Sequence, residues 1–435
     1  MFANISQTSS KTMRRVVITG IGVVSPIGSG KNKFFESLAS GNSGISRITV
    51  FDASSFPVQI AGEVKDLNFN ECELEYPAVN GIKDRKVFFG LSAFIEARKD
   101  AQLSDEILQN KRTTLNLGVS LEVLGIEDIG PSVLKGKVDF KHFHNNVVKS
   151  GKSLQIPLDF TNRTIIKKHK MVGTNFINCS ACAASAQTIG HSFRMIQRGE
   201  IDIALCGGMD SMINPLGVGG FGLLGALSMR NDLEKCACRP FDAKRDGTVL
   251  GEGAGILVLE EMNLALKRNV HIYGEIVGFG SSLDAYKPTD PDPDGNGAAL
   301  AMRTAIHSAG LQEHQISYIN AHGTATPKND EIETVAIKKV FGQNAYSIPV
   351  SSTKSMIGHL IAASGAVECI ASLSAFENNL IPPTINYSTK DYFCDLDYVP
   401  NKAREWGGDY ILTNSFGFGG QNASLILKRW QNHES

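Results

Sequence analysis

Short apolar runs alternate with amphipathic segments over most of the chain. Runs bounded by glycine and polar residues predict buried strands at residues 14–24, 116–124, 201–208, 253–260, 272–280, 316–321, 348–352 and 410–414. Apolar positions at helical spacing predict helices at residues 87–102, 183–196, 297–309 and 360–376. The segment 215–222, Pro-Leu-Gly-Val-Gly-Gly-Phe-Gly, predicts a glycine-rich loop. This alternation of strands and helices is typical of a layered α/β fold.

The second half of the chain repeats the rhythm of the first without recognisable sequence identity. Residues 13–265 and 266–430 are predicted to form two similar halves of one compact unit, because residues 260–272 have the pattern of a charged helix and turn rather than a linker. Residues 1–12 are polar and lack an apolar h-region, which predicts a short disordered leader rather than a signal peptide. Residues 431–435 form a predicted tail.

The composition argues against several classes of protein. Of the 435 residues, 42% are hydrophobic and 20% are charged, which is the balance of a well-packed soluble protein. A net charge of −1 provides no global field for nucleic acid or an anionic membrane, and no apolar run reaches the ~18 residues of a spanning helix. The eight cysteines are too sparse for a disulfide scaffold. We therefore expect a cytoplasmic protein that binds neither nucleic acid nor membrane.

Cys182 is the first candidate for chemistry. It follows a predicted strand end and opens a helix, where unpaired N–H groups and the helix dipole favour a thiolate, the nucleophilic form of cysteine. Two other interpretations stay open at this point. A cysteine in an apolar segment is often an inert core residue, and Cys179-x-x-Cys182 is also the spacing of a thioredoxin-like redox pair.

Polar or glycine-rich loops follow three further predicted strands. These loops carry His322, then Lys354 with His359, and finally the stretch Phe416-Gly-Phe418-Gly-Gly. Because ligands bind at the carboxyl ends of parallel strands, the four loops are predicted to converge on one pocket. A thiol, two imidazoles and an ammonium would then share a site. No cluster of Cys, His and carboxylates has metal-site spacing, so we expect no bound metal.

The motifs around these residues resemble those of the elongating β-ketoacyl-acyl carrier protein synthases. The matching segments are Ser-Ala-Cys at 180–182, His-Gly-Thr-Ala-Thr-Pro at 322–327, Ser-Ser-Thr-Lys-Ser-Met-Ile-Gly-His at 351–359, Asn-Ser-Phe-Gly-Phe-Gly-Gly at 414–420, the glycine-rich segment 215–222, Arg-Asn-Asp at 230–232 and Arg-Pro-Phe-Asp at 239–242. The resemblance runs from about residue 13 to residue 429 and is weakest between 110 and 172. It implies the thiolase-like fold, with two duplicated halves in five α/β/α/β/α layers, and usually a dimer.

The resemblance also implies an activity and roles for individual residues. The activity is a decarboxylating condensation of an acyl group on Cys182 with malonyl-acyl carrier protein, as in fatty-acid elongation. The resemblance implies that His322 and His359 assist decarboxylation, and that Lys354, with Glu368, orients and tunes this histidine pair. Phe416 and Phe418 would belong to the oxyanion hole and gating loop. Thr324 and Thr326 would contact the phosphopantetheine arm, and the carrier protein would dock on Arg85, Lys86 and Arg230. No cofactor is expected on the enzyme itself, since the carrier protein supplies the phosphopantetheine arm.

Several positions depart from the family pattern. Cys179 replaces a residue that is usually Ser or Asp, Ala183-Ala184 replaces Thr-Gly or Thr-Ser, Gln421 replaces Thr, and residues 118–125 replace a glycine-rich segment near the acyl pocket. These changes leave the acyl chain length and the dimer surface open. The alternatives are a polyketide ketosynthase working with a chain-length-factor partner, a non-catalytic chain-length factor, which usually lacks the Cys, and a degradative thiolase, which uses a second cysteine near its C-terminus.

Overall fold

The structure is a computed structural model that describes residues 13–121, 133–134, 137–139, 141 and 157–431. The predicted leader, residues 1–12, and residues 432–435 of the predicted tail lie outside the described residues. The same holds for most of the segment from 122 to 156, where part of the departure from the family pattern falls.

Strands and helices alternate through the described residues. The strands, β1 to β17 in chain order, are Val16–Ser25, Gly28–Ser29, Ile45–Arg47, Ile60–Gly62, Thr113–Gly118, Val133–Leu134, Lys137–Val138, Phe176–Asn178, Ile203–Ser211, Glu252–Glu261, Gly274–Leu283, Tyr318–Asn320, Val350–Ser351, Leu380–Ile381, Arg404–Glu405, Tyr410–Gly417 and Gln421–Lys428. The α-helices, α1 to α12, are Lys31–Ser40, Phe69–Glu75, Arg85–Asp100, Asp105–Leu108, Phe160–His169, Ala184–Gln197, Pro215–Leu223, Met262–Arg268, Asn296–Ser308, Pro327–Phe341, Lys354–Ile357 and Ser364–Asn378.

The main sheet of the described residues has two halves with the same topology. Its order is β13-β12-β16-β17-β11-β1-β10-β9-β5-β8, with β2 beside β1. Outward from β1, successive pairs are antiparallel, antiparallel, parallel and parallel, and the pairs outward from β11 repeat this series. The halves join where Val16 to Ile18 of β1 pair with β11. The strand pattern is therefore duplicated, as the resemblance implies.

Alternating side chains of each half-sheet enter different core layers. On β9, Leu205 packs in an outer core with α3 and α5, whereas its neighbours Ala204 and Cys206 enter the central core. On β17, Ile426 packs in a second outer core with α9 and α10, and its neighbours enter the same central core. The central core holds the buried faces of α6 and α12. Sheets buried on both faces account for the continuous apolar runs, and the layers are helix, sheet, helix, sheet, helix.

Each central helix begins with the same kind of turn. Ala181 (φ 48°) precedes α6 and Ile361 (φ 47°) precedes α12, and each is the first residue of a short 3-10 turn, Ala181–Ala183 and Ile361–Ala363. Left-handed conformations are unfavourable for residues with a Cβ, so each turn must be held by its surroundings. These two turns face the functional site described below.

The prediction of a loop at residues 215–222 is wrong, because this segment forms helix α7. Pro215 stands at the first helical position, where a missing N–H costs nothing, and the Asn214 side chain caps the helix by accepting the N–H of Gly217 at 2.8 Å. End signals thus outweigh the poor helix propensity of four glycines. Within the described residues, no helix has both the length and the apolar character needed to cross a membrane.

Candidate active site

Cys182 lies in the 3-10 turn between β8 and α6, as the sequence predicts for a strand-to-helix connection. The left-handed Ala181 turns the chain so that the next residue leads into the helix. Only 4% of Cys182 is exposed, and an apolar cluster that includes Leu250 and Ile361 surrounds it. The thiol therefore sits at the buried end of an apolar site.

His359 donates a hydrogen bond to this thiol. Its Nε2 lies 3.0 Å from Cys182 Sγ. On the other side of the ring, Nδ1 accepts the backbone N–H of Ile361 at 3.2 Å and lies 2.9 Å from Ser364 Oγ. Because Nδ1 is occupied as an acceptor, the proton of the neutral ring is on Nε2. Burial, together with the Lys354 charge, lowers the pKa of His359 well below its ordinary value and keeps the ring neutral.

His322 has the same tautomer by a different contact. The Lys354 ammonium lies 3.3 Å from Nδ1 of His322 and also pairs with the buried Glu368 carboxylate. An ammonium has protons only, so Nδ1 is the acceptor and Nε2 carries the ring proton. Burial and the charge of Lys354 lower the pKa of His322 well below its ordinary value. The His322 and His359 rings lie 5.3 Å apart at 84°, and both belong to the same site.

Glu333 supports the His322 loop, and the sequence motifs did not predict it. Its carboxylate accepts the backbone N–H groups of His322 at 2.8 Å and of Gly323 at 2.7 Å, and the Asn414 amide at 3.2 Å. Burial raises the pKa of Glu333 to about 7, although these three donors oppose the shift. The available signal was an acidic residue on an apolar face of the helix that follows the His322 loop.

The loop after β16 closes over the thiol. A Cβ on Gly417 would lie 3.0 Å from the backbone nitrogen of Cys182, so the two backbones are in close contact. The backbone N–H of Phe418 lies close enough to Cys182 to lower the pKa of its thiol, and the Phe418 ring stacks on Phe221 at 6.1 Å. The Phe416 ring lies 5.9 Å from the His322 ring. These contacts bring the predicted loop to the thiol.

The expected thiolate is not favoured at Cys182. Burial raises the pKa of this thiol to about 12, and the Lys354 charge and the Phe418 N–H only partly oppose the shift. The helix terminus favours a thiolate, but the loss of water around the sulfur disfavours the charged form more strongly. At neutral pH Cys182 is therefore a thiol that accepts the His359 N–H.

A cavity of 360 Å³ leads from the thiol to the surface. Cys182, His322 and His359 line its inner end, and Thr324 and Thr326 line it together with the phenylalanines of the 416–418 loop. The two threonine hydroxyls lie 2.9 Å apart. The four loops of the sequence analysis thus meet in one pocket. Its volume is within the usual range of small-molecule pockets.

Sequence profiles of one family cover both halves of the chain. The Beta-ketoacyl synthase N-terminal domain matches residues 13–265, and the Beta-ketoacyl synthase C-terminal domain matches residues 273–388. The chain belongs to the β-ketoacyl synthase family. The resemblance found in the sequence motifs is thereby confirmed.

Several known proteins resemble this chain in sequence and in fold. The 3-oxoacyl-[acyl-carrier-protein] synthase 2 of Coxiella burnetii is 41% identical over 429 residues, and that of Synechocystis is 41% identical over 424; each alignment covers 96% of this chain and 99% of the relative. A β-ketoacyl synthase from Burkholderia phymatum has a TM-score of 0.84 and 32% identity, covering 96% of this chain and 100% of that one. A type II PKS ketosynthase solved with its acyl-carrier protein and a hexaketide has the same values. The predicted thiolase-like α/β fold is confirmed.

The spacing of the β-ketoacyl synthase site also resembles that of a metal centre. One donor atom each from Cys182, His322 and His359 lies within 4.8 Å of the others, which would suit a soft divalent ion such as Zn²⁺. The tautomers oppose this use. Metal binding needs a ring lone pair, whereas Ile361 and Lys354 occupy the Nδ1 atoms and leave N–H groups at Nε2. The three residues are arranged as two donors beside a sulfur acceptor.

The docking prediction is wrong for Lys86. This side chain is only 2% exposed, its ammonium pairs with Asp84, and it lies 3.5 Å from the carbonyl of Leu121. A buried ammonium cannot meet a carrier protein at the surface. Arg85 is partly exposed, but its Nε donates to the buried Glu252 carboxylate at 3.0 Å, and its docking role stays a prediction.

Arg230 is the third residue predicted to dock a carrier protein. Its side chain is half exposed and forms an ion pair with Asp232 at 3.2 Å. Nearby, Leu224 and Gly225 line the mouth of the Cys182 cavity. The position is compatible with contact to a partner at the pocket entrance, and the role stays a prediction.

Proposed function

We propose that this protein catalyses the decarboxylating condensation of an acyl group held on Cys182 with malonyl-acyl carrier protein, giving β-ketoacyl-acyl carrier protein. The observation that carries the proposal is the pair of neutral imidazoles, His322 and His359, that hold Nε2–H groups beside the Cys182 thiol. Both the C. burnetii and Synechocystis relatives carry names of that activity, and they support fatty-acid elongation.

The first step is acyl transfer. Cys182 Sγ forms a bond to the acyl carbonyl, the thioester bond to the carrier breaks, and the thiol proton of Cys182 ends on the carrier thiol. The backbone N–H groups of Cys182 and Phe418 are the donors for the transient oxyanion. The apolar cluster around Cys182, with Phe221 at its edge, supports an apolar acyl chain as the group transferred.

The second step breaks a C–C bond and forms another. The malonyl carboxylate leaves as CO₂, and its bonding electrons form an enolate whose oxygen receives the N–H groups of His322 and His359. The enolate carbon then attacks the acyl carbonyl, and the thioester bond to Cys182 breaks. A proton from water restores the thiol. Neutral histidines suit this step, because they stabilise negative charge without giving up a proton to the enolate.

The carrier protein and a second copy of the chain are the proposed partners. Thr324 and Thr326 line the entrance cavity and would bind the phosphopantetheine arm, so no cofactor is assigned to the enzyme itself. Strand β8 has a neighbouring strand on one side only among the described residues, and a free sheet edge supports pairing with its equivalent in a homodimer. Light scattering after gel filtration tests this pairing: twice the monomer mass is expected, and a monomer would contradict it. The cytoplasmic location stays a prediction.

Mass spectrometry tests the activity directly. The wild type, incubated with acyl-carrier protein and malonyl-carrier protein, should show the acyl group on the Cys182 peptide and an elongated product. Cys182→Ala should show neither. Cys179→Ser, three residues away and exposed, is the matched control and should retain both. Equal acylation of wild type and Cys182→Ala would refute the proposed nucleophile.

A type II polyketide ketosynthase is the second candidate, and the 32% identity to such a ketosynthase favours it. Another similar structure is the ishigamide ketosynthase/chain length factor, at 33% identity and a TM-score of 0.83. In that case Cys182 would be acylated but elongation would require a chain-length-factor-like subunit. Elongation by the purified chain alone would favour the fatty-acid reaction.

A further inference from the structure

Asp210 is a buried carboxylate near the end of β9 that the family resemblance did not single out. Its Oδ2 accepts the backbone N–H of Ala362 at 2.9 Å. Its Oδ1 accepts the hydroxyl of Ser120 and the N–H of Ser211, both at 2.8 Å. The two oxygens therefore link β9 and the end of β5 to the turn that precedes α12.

This turn also fixes the tautomer of His359. Ile361, at φ 47°, donates its N–H to Nδ1 of His359, and the next N–H along the chain, that of Ala362, is the one bound by Asp210. A left-handed conformation is unfavourable for a β-branched residue and persists only where its surroundings hold it. The hydrogen bond from Ala362 to Asp210 is one of the contacts that hold it.

Packing and charge complete the link. A Cβ on Gly208 would lie 2.7 Å from the carbonyl oxygen of Ala362, so β9 and the turn are in direct backbone contact. Burial raises the pKa of Asp210 to about 6, and the buried Lys86 ammonium opposes this shift. The buried Lys86 therefore favours the charged form of Asp210, the carboxylate that binds the 361–362 turn.

We propose that Asp210 is a positioning residue for the condensation, holding the 361–362 turn so that His359 keeps its Nε2–H directed at Cys182. The geometric part of this inference stands on the structure alone, and its kinetic consequence rests on the proposed function. Without the carboxylate, the buried N–H of Ala362 loses its partner and the turn relaxes toward an ordinary conformation. Nδ1 of His359 then loses the N–H of Ile361, and the ring proton is free to move to Nδ1.

Tautomer measurement by NMR tests the geometric part without any assay of activity. In protein labelled with ¹⁵N-histidine, the His359 signals, assigned with His359→Ala, should report the Nε2–H tautomer in the wild type. Asp210→Asn preserves the size of the side chain but replaces one of the two acceptor oxygens with an NH₂ group. Three donors, from Ala362, Ser120 and Ser211, then face one acceptor oxygen, and the His359 signals should shift toward the Nδ1–H form. Glu260→Gln is the matched control: Glu260 is buried on the neighbouring strand β10, where it pairs with Arg268. An unchanged His359 tautomer in folded Asp210→Asn would overturn the proposal.

Kinetics of the two half-reactions test the consequence. Asp210→Asn should slow malonyl decarboxylation about tenfold or more, because the enolate loses a preorganised donor, while acylation of Cys182 changes less than about twofold. If Asp210 acts through His359, adding Asp210→Asn to His359→Ala should cause no further loss of decarboxylation. Additive losses in the double variant, or equal loss of both half-reactions, would overturn the positioning role. A wild type that decarboxylates no malonyl thioester would refute the proposed function and leave the NMR result standing.

Discussion

The Nε2 atom of His359 lies 3.0 Å from Cys182 Sγ, on a ring whose Nδ1 already accepts the backbone N–H of Ile361. This pair differs from the usual Cys–His arrangement, in which an imidazole lone pair takes the thiol proton. Here the histidine is a donor and the sulfur is the acceptor. The site is therefore arranged to stabilise negative charge, which is what a decarboxylation step requires.

The pH dependence of alkylation should reveal the raised pKa of Cys182. Since the thiol pKa is raised to about 12, the thiolate fraction and the rate of modification by iodoacetamide should rise ~tenfold per pH unit between about pH 7 and 10. Mass spectrometry of the Cys182 peptide in Cys179→Ser measures this rate without interference from the neighbouring thiol. A plateau near pH 7 would indicate a thiolate–imidazolium pair and contradict the tautomer assignment.

The two histidines should affect the half-reactions unequally. His322→Ala and His359→Ala should each slow malonyl decarboxylation by about 10²- to 10³-fold, the usual cost of one oxyanion donor, and slow Cys182 acylation by less than about tenfold. Release of CO₂ and the acyl-Cys182 peptide are measured separately in single turnovers. His307→Ala, an exposed histidine on α9, is the control. Equal loss of both steps would contradict this division of roles.

Removing only one partner of the Lys354–Glu368 pair should destabilise the protein. Both side chains are almost fully buried, so Lys354→Met leaves a buried carboxylate without its cation and should cost about 3–5 kcal/mol in the free energy of unfolding. Lys354→Met with Glu368→Gln should be closer to wild type. Urea denaturation measures both, and additive losses would contradict the pairing.

The same variant should show a characteristic pH dependence of stability. Burial already raises the pKa of Glu368 to about 7 in the presence of Lys354. In Lys354→Met the folded state holds a proton on Glu368 that the unfolded state releases above its ordinary pKa. In the wild type this loss of stability ends near pH 7, whereas in Lys354→Met the free energy of unfolding should continue to fall above pH 7, at up to ~1.4 kcal/mol per pH unit. A pH-independent difference from wild type would contradict this reasoning.

Arg230 should contribute to carrier binding if the docking prediction is right. Arg230→Glu reverses the charge of a half-exposed side chain and should raise KM for the acyl-carrier protein several-fold with kcat nearly unchanged. The increase should shrink at high salt, because exposed charges are screened. Asp232→Asn removes the ion-pair partner and is expected to lower KM or leave it unchanged. A fall in kcat alone would point away from docking.

Gly417 should be sensitive to a single methyl group. Gly417→Ala places a Cβ 3.0 Å from the Cys182 backbone nitrogen, which displaces a proposed oxyanion donor, and we expect Cys182 acylation to slow about tenfold. Gly407→Ala, where no atom lies within 4 Å of the added Cβ, is the control. Unchanged acylation in Gly417→Ala would show that this backbone contact does not position the donor.

Apolar periodicity predicted eight strands of the main sheet and the four helices α3, α6, α9 and α12. The strand predicted at 201–208 spans Ile203–Ser211, and the helix predicted at 297–309 spans Asn296–Ser308. These predictions depend on local patterns that buried sheets and helices impose on the sequence. Helix α7 was not predicted, because its four glycines are typical of a loop. The segment is helical because Asn214 caps it and Pro215 suits its first position.

The sequence by itself determined the family, the layered fold and the convergence of Cys182, His322, Lys354 and His359, because each lies in a motif at a strand end. Only the tertiary structure decided what charges these groups carry. Burial raises the pKa of the Cys182 thiol, a contact with Ile361 sets the tautomer of His359, and Lys86 is buried and paired with the partly buried Asp84. Desolvation and hydrogen bonds between distant segments set these protonation states, and neither can be predicted from the local pattern of residues.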